Sequence, residues 1–132
     1  MPFFPISTEQ RFVLANVAGL ENLAKSERFA QTTPDIVDAI LEGVGEFAVG
    51  EWAPLARAGD TVGAKWTNDG VVMPAGYVEA YRAYVDGGWG TLGAPESWGG
   101  QGLPFVLATA VLETLGTANM GFALCPMLTV GA

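Results

Sequence analysis

The sequence predicts an all-α domain, an antiparallel helical bundle carrying one small hairpin or ordered loop, and three observations lead there. Apolar residues recur at helical spacing through most of the 132 residues. Gly and Pro clusters punctuate those segments where helices would stop. From Leu103 to Ala132 the chain carries Glu113 as its only charge. A length of 132 residues suits one domain with a real core.

Taken in order, Ser7 with Gln10 fits a capping box, and Val13, Val17, Leu20 and Ala24 then recur on one face, which predicts a helix from about Thr8 to about Lys25. Thr33-Pro34-Asp35 supplies a cap, a first-turn proline and an acid for the helix dipole. Val37, Ile40, Leu41, Val44, Phe47 and Ala48 follow as its buried face. This helix ends near Pro54 or continues, kinked, to about Ala58. Asn68-Asp69-Gly70 between Ala64-Lys65-Trp66-Thr67 and Val71-Val72-Met73 suits a hairpin, or equally an ordered loop.

From Pro74 to Asp86 a helix is predicted by the recurrence of Val78, Tyr81 and Val85 with Tyr77 and Tyr84, stopped by Gly87-Gly88. A Gly- and Trp-rich loop occupies Trp89 to Gly102. Pro104 then opens a helix to about Leu115, and a last one runs from Thr117 to about Thr129, bent or ended by Pro126.

Composition excludes several functions. Apolar residues make up 50% and charged residues 15% of the chain, against about one charge in four in an average domain, so disorder is excluded and surplus apolar surface is expected. Net charge is −8 with six scattered basic residues. Nucleic-acid binding, which needs clustered Lys and Arg to displace counterions, is therefore not expected, nor is docking on anionic lipid. Glu113, Asn119, Gly116 and Pro126 interrupt the terminal apolar run, and no basic residue flanks it, so two buried helices account for it better than a membrane span. A single cysteine and the lack of a basic, signal-like start point to a reduced cytoplasmic setting.

Without a histidine there is no Ser-His-Asp set, Cys-His pair or imidazole metal ligand in this chain. Cys125, among Leu124, Pro126 and Met127, reads as a buried structural cysteine. Gly43-Val44-Gly45-Glu46-Phe47-Ala48 matches a dinucleotide fingerprint in letters, but it falls mid-helix, where Glu42 and Glu46 would repel phosphate. Its glycines read instead as points of close helix approach. Asp35, Asp38, Glu42, Glu46 and Glu51 mark a solvated helix face. Glu113, alone among Val111, Leu112 and Leu115, must pair, hydrogen-bond or reach the surface, and an ion pair with a residue such as Arg82 is expected. In the loop from Trp89 to Pro104 the glycines permit close backbone approach and Trp89 and Trp98 offer flat faces, although composition favours rigid packing over ligand contact.

Read as a sequence, GGWGTLGAPESWGGQGLP followed by a helix and ETLGTANMGFALCPMLTVGA closely resembles the N-terminal helical domain of the acyl-CoA dehydrogenases. The segments DIVDAILEGVGEFAVGEWAPLARAGD and VVMPAGYVEAYRAYVDGGW fall in that family's order, and MPFFPIS, APLARAGD and TAN resemble its bacterial 3-methylmercaptopropionyl-CoA dehydrogenase-like branch. The resemblance implies residues 1–132 of an FAD-dependent enzyme that dehydrogenates an acyl-CoA thioester between Cα and Cβ and passes electrons to an electron-transfer flavoprotein. It further implies a homo-oligomer. A middle β domain would carry much of the flavin site and a C-terminal helical domain the glutamate base, so both lie beyond Ala132. The segment alone would then hold no catalytic residue, bind no FAD and be inactive. Its implied contribution is one wall of the acyl pocket, placed by position at Thr117, Asn119, Met120, Phe122, Ala123, Leu124 and Met127. The competing expectation is a free-standing helical interaction module that uses its apolar C-terminal surface to hold a partner.

Overall fold

The computed structural model describes residues 2–131. Met1, at the head of the MPFFPIS segment, and Ala132, at the end of the apolar run, lie outside the described residues. Among the described residues helices dominate, as the periodicity requires, with a single small hairpin.

Helix α1 spans Ser7–Asn16 and α2 spans Leu20–Ala24, so the one long helix expected here is broken in two. The capping box is not formed: Ile6 takes the cap position without a side-chain bond, and the Gln10 side chain is buried elsewhere. Val13 and Val17 are exposed while Gln10 and Leu14 are buried, so the inward stripe runs one step away from the expected one. Gly19, at φ 66°, then turns the chain and returns Leu20 to the core.

Helix α3, Pro34–Phe47, begins as its sequence dictates, with the Thr33 hydroxyl oxygen accepting from the Ile36 amide at 3.4 Å. Its inward residues Val37, Leu41, Val44 and Ala48 are buried, with Ile40 and Phe47 packed beside them. The chain does not stop before Pro54. A wide π-type turn at Ala48–Trp52 and a tight turn at Ala53–Leu55 absorb the proline, and α4 continues over Ala56–Thr61.

Strands β1, Lys65–Thr67, and β2, Gly70–Val72, form the antiparallel hairpin, with Trp66 opposite Val71 across the Asn68-Asp69 turn. Helix α5 spans Tyr77–Asp86 and ends at Gly87. It turns Tyr77, Ala80 and Tyr84 inward and leaves Val78, Tyr81 and Val85 exposed, so only the tyrosines at 77 and 84 of the expected stripe are core. Helices α6, Phe105–Ala118, and α7, Met120–Gly131, complete the fold, with Pro126 inside α7. Thr117 therefore belongs to α6. Helix α6 is the central element, packed on α3, α7 and α1, and Leu107, Val111, Thr114 and Leu115 on it are almost fully buried. Among the described residues no helix is long and apolar enough to cross a membrane.

Candidate functional site

The break between α6 and α7 is organised by Asn119, whose backbone is extended at φ −158° and ψ 86°. Its Oδ1 accepts from the Phe122 amide at 3.1 Å, capping α7. Its Nδ2 donates to the Trp52 carbonyl at 3.2 Å and to the Tyr77 hydroxyl at 3.4 Å, and that hydroxyl donates to the Leu55 carbonyl at 3.3 Å. One buried amide thus ties the start of α7 to the wide turn and to α5. Phe122 completes the joint, lying flat between Trp52 (centroids 4.3 Å apart, planes 2° apart) and Tyr77 (4.7 Å, 19°).

Locking one side of α7 fixes what the other side presents. Met120 is 61% exposed, Leu124 46% and Met127 41%, at positions i, i+4 and i+7 along one stripe. Leu128 and Cys125 are exposed beside them. Of the seven positions singled out in the sequence, Asn119, Phe122 and Ala123 are buried and hold the helix, whereas Met120, Leu124 and Met127 form its free face. Thr117 is exposed on α6 and its hydroxyl donates to the Glu113 carbonyl at 2.8 Å. Cys125 is not the buried cysteine that its neighbours suggested, because Pro126 takes the inward position.

Clefts flank α7 on both sides. One, of about 450 Å³, opens between α4, the end of the hairpin and the start of α7, with Gly59, Asp60, Met73, Tyr77 and Asn119 on its walls. The other, of about 390 Å³, lies between the Gly-rich loop and helices α6 and α7, and includes Tyr84, Trp89, Phe105, Leu112 and Thr129. Tyr84 is buried, its hydroxyl has no partner among the described residues, and burial pushes its pKa up to about 12, with Tyr81 and Cys125 adding to the shift. Trp89 packs against Phe47 at 5.8 Å and over Gly43, while Trp98 is 87% exposed. The loop therefore commits one tryptophan to packing and leaves the other free.

The expected Glu113–Arg82 pair is not made. Among the described residues the ion pairs are those of Arg11 with Asp38 and Glu42, and these carboxylates raise the Arg11 pKa above its ordinary value. Glu113 instead sits at the surface and accepts from Gln10 Nε2 at 2.9 Å. That same nitrogen donates to the Ala110 carbonyl and contacts the Thr114 hydroxyl. Sequence alone does not mark Gln10 as a buried anchor, because Ser7, three residues earlier, offers it a helix-capping role.

The fingerprint-like segment Gly43–Ala48 does not form a pyrophosphate site. In the fingerprint-like segment a Cβ at Gly43 would come within 3.2 Å of the Trp89 ring and one at Gly45 within 3.1 Å of Pro5. The glycines admit neighbouring side chains, and no helix N-terminus is aimed at a phosphate there. Among the described residues no group of three or more acidic, Cys or His side chains could hold a metal ion.

Residues 35–132 match the family described as acyl-CoA dehydrogenase, N-terminal domain. A 3-methylmercaptopropionyl-CoA dehydrogenase from Ruegeria pomeroyi is 39% identical over 121 residues, which cover 92% of this chain and 21% of that protein. The chain thus spans about a fifth of the length of this curated relative.

Proposed function

The chain belongs to the acyl-CoA dehydrogenase family through its N-terminal domain, and on that premise we propose that residues 1–132 form the N-terminal helical domain of a cytoplasmic, FAD-dependent enzyme that dehydrogenates an acyl-CoA thioester. Its own contribution is one wall of the acyl pocket. The observation that carries this reading is the two-sidedness of α7: Phe122 and Asn119 clamp one side into the aromatic core, and Met120, Leu124 and Met127 stand free on the other.

An apolar stripe held this firmly suits a flexible aliphatic ligand. Each methylene it covers contributes about 0.8 kcal/mol, and the unbranched Met120 and Met127 side chains adapt to irregular ligand shape. Ala123 and Phe122 set the depth of the wall from behind, and Thr117 lies on α6 just before the helix break. The base for the Cα proton and most of the residues that would hold FAD, which would supply the hydride acceptor, are assigned in this reading to a middle β domain and a C-terminal helical domain outside residues 1–132. An electron-transfer flavoprotein is the acceptor and the assembled enzyme is a homo-oligomer.

The test is a chimera in which this chain replaces the corresponding segment of the Ruegeria relative. Acyl-CoA-dependent reduction of an artificial electron acceptor is expected from the chimera, with Leu124→Glu raising KM by about tenfold or more, and neither turnover nor bound flavin from the isolated 132 residues. Stoichiometric yellow flavin on the isolated chain, or an unchanged KM in the Leu124→Glu chimera, would defeat the reading. An inactive chimera together with a discrete, soluble oligomer of the isolated chain would favour the interaction module instead.

A further inference from the structure

Tyr77 stands outside the seven positions that the sequence marks for the acyl wall, yet it touches α7 at the two residues that orient it. It opens α5 and is 6% exposed. Its ring lies on Phe122, and its hydroxyl bridges two elements, accepting from Asn119 Nδ2 at 3.4 Å and donating to the Leu55 carbonyl at 3.3 Å. Gly59 on α4 leaves the space that this hydroxyl fills, since a Cβ there would collide with it.

Helix α7 joins α6 through Asn119 alone, and the two soft backbone dihedrals of that residue let the helix turn. On the side facing α4, the cleft of about 450 Å³ that includes Gly59, Tyr77, Asn119 and Gly121 leaves open space beside its first turn. The rotation of α7 at that turn is therefore held by Asn119 and Phe122, the residues that Tyr77 contacts. Side-chain tips on a helix stand about 5–6 Å from its axis, so a turn of about 10° moves Met120, Leu124 and Met127 by about 1 Å. A displacement of that size is enough to spoil a shaped binding wall.

We propose that Tyr77 is a positioning residue for acyl selection: by holding Asn119 and Phe122 it sets the direction in which α7 presents Met120, Leu124 and Met127. The proposal rests on the reading of that face as the acyl wall, and Tyr77 acts through α7 without touching the ligand.

Two measurements test it. In the 132-residue chain, residual dipolar couplings report the orientation of the α7 amides against those of α6. Tyr77→Phe keeps the ring on Phe122 and removes the hydroxyl, and it should turn α7 by about 10° or more while the circular dichroism stays that of the wild type. In the chimera with the Ruegeria relative, the same substitution should raise KM for hexanoyl-CoA about threefold against KM for propanoyl-CoA, whose chain ends at Cβ, with kcat changed by about twofold or less. Gly59→Ala, which pushes on the hydroxyl from α4, should act in the same direction and add nothing in a Tyr77→Phe background. Unchanged α7 couplings in Tyr77→Phe would overturn the proposal and leave the acyl wall standing. A turned α7 with an unchanged KM ratio would overturn the wall reading, and the positioning role with it. A lowered unfolding midpoint with neither change would reduce Tyr77 to a purely structural residue.

Discussion

Two buried amides, Gln10 and Asn119, join parts of the chain that lie far apart in sequence. Each places its polar atoms on backbone carbonyls and hydroxyls of elements distant in the chain. Asn119→Ala removes the α7 cap and the bonds to Trp52 and Tyr77 together, and should lower stability by about 2–4 kcal/mol, read from the midpoint of urea unfolding. Tyr84 behaves in the opposite way, because its hydroxyl is buried without a partner among the described residues. Tyr84→Phe should be neutral or slightly stabilising at pH 7. Burial pushes its pKa up to about 12, above the ordinary tyrosine value of about 10, so between those values the folded state holds a proton that the unfolded state releases. Stability from this group is complete below the unfolded pKa and falls as pH rises through the folded one. The alkaline unfolding midpoint of Tyr84→Phe should therefore lie higher than that of the wild type, and an unchanged midpoint would remove Tyr84 from the alkaline transition. Neither amide's role was legible in the sequence. Gln10 stands four residues before Leu14 on the inward stripe, a faint sign that it is buried, but Ser7 supplied a stronger local explanation.

At the level of elements, helix existence was readable and helix faces less so. Thr33-Pro34-Asp35 marks the start of α3, and Asn68-Asp69-Gly70 marks the place of the hairpin while leaving an ordered loop equally open, because both rest on local backbone chemistry. In α5, by contrast, the stripes through Val78, Tyr81 and Val85 and through Tyr77, Ala80 and Tyr84 are both apolar. Periodicity cannot choose between them. Burial went to the stripe whose rings pack on Trp52 and Phe122, a choice made by residues from other helices. The junction of α4 and α5 shows the same dependence on distant partners. Gly76, at φ 87°, starts α5 in a conformation that side-chain-bearing residues resist, and Gly59 leaves room for the Tyr77 hydroxyl, which a Cβ there would strike. Gly59→Ala should cost about 1–3 kcal/mol through overpacking, although alanine favours the helix itself. In a Tyr77→Phe background the clash atom is gone and most of that cost should vanish. A double-mutant cycle by thermal or urea unfolding measures the coupling, and additive effects would show that the collision is relieved in another way.

For the whole molecule, sequence names α7 as the candidate wall but does not distinguish its faces. The order of segments from Gly87 to the last helix pointed to α7, but a run as uniformly apolar as Met120-Gly-Phe-Ala-Leu-Cys-Pro-Met127 carries almost no periodic contrast to separate its faces. The separation comes from the Trp52–Phe122–Tyr77 stack and the Asn119 bonds, all of which depend on residues more than 40 positions earlier. This sidedness can be measured directly in the 132-residue chain. Phe122 is 5% exposed and Leu124 46%, so Phe122→Ala should cost about 3–5 kcal/mol by opening a cavity beside Trp52. Leu124→Glu, two positions along the same helix, should change stability by about 0.5 kcal/mol or less. Urea unfolding of the two variants against the wild type separates a clamped face from a free one. If Leu124→Glu proved as damaging as Phe122→Ala, the outward face of α7 would be part of this domain's own core, and no wall would remain there for an acyl chain.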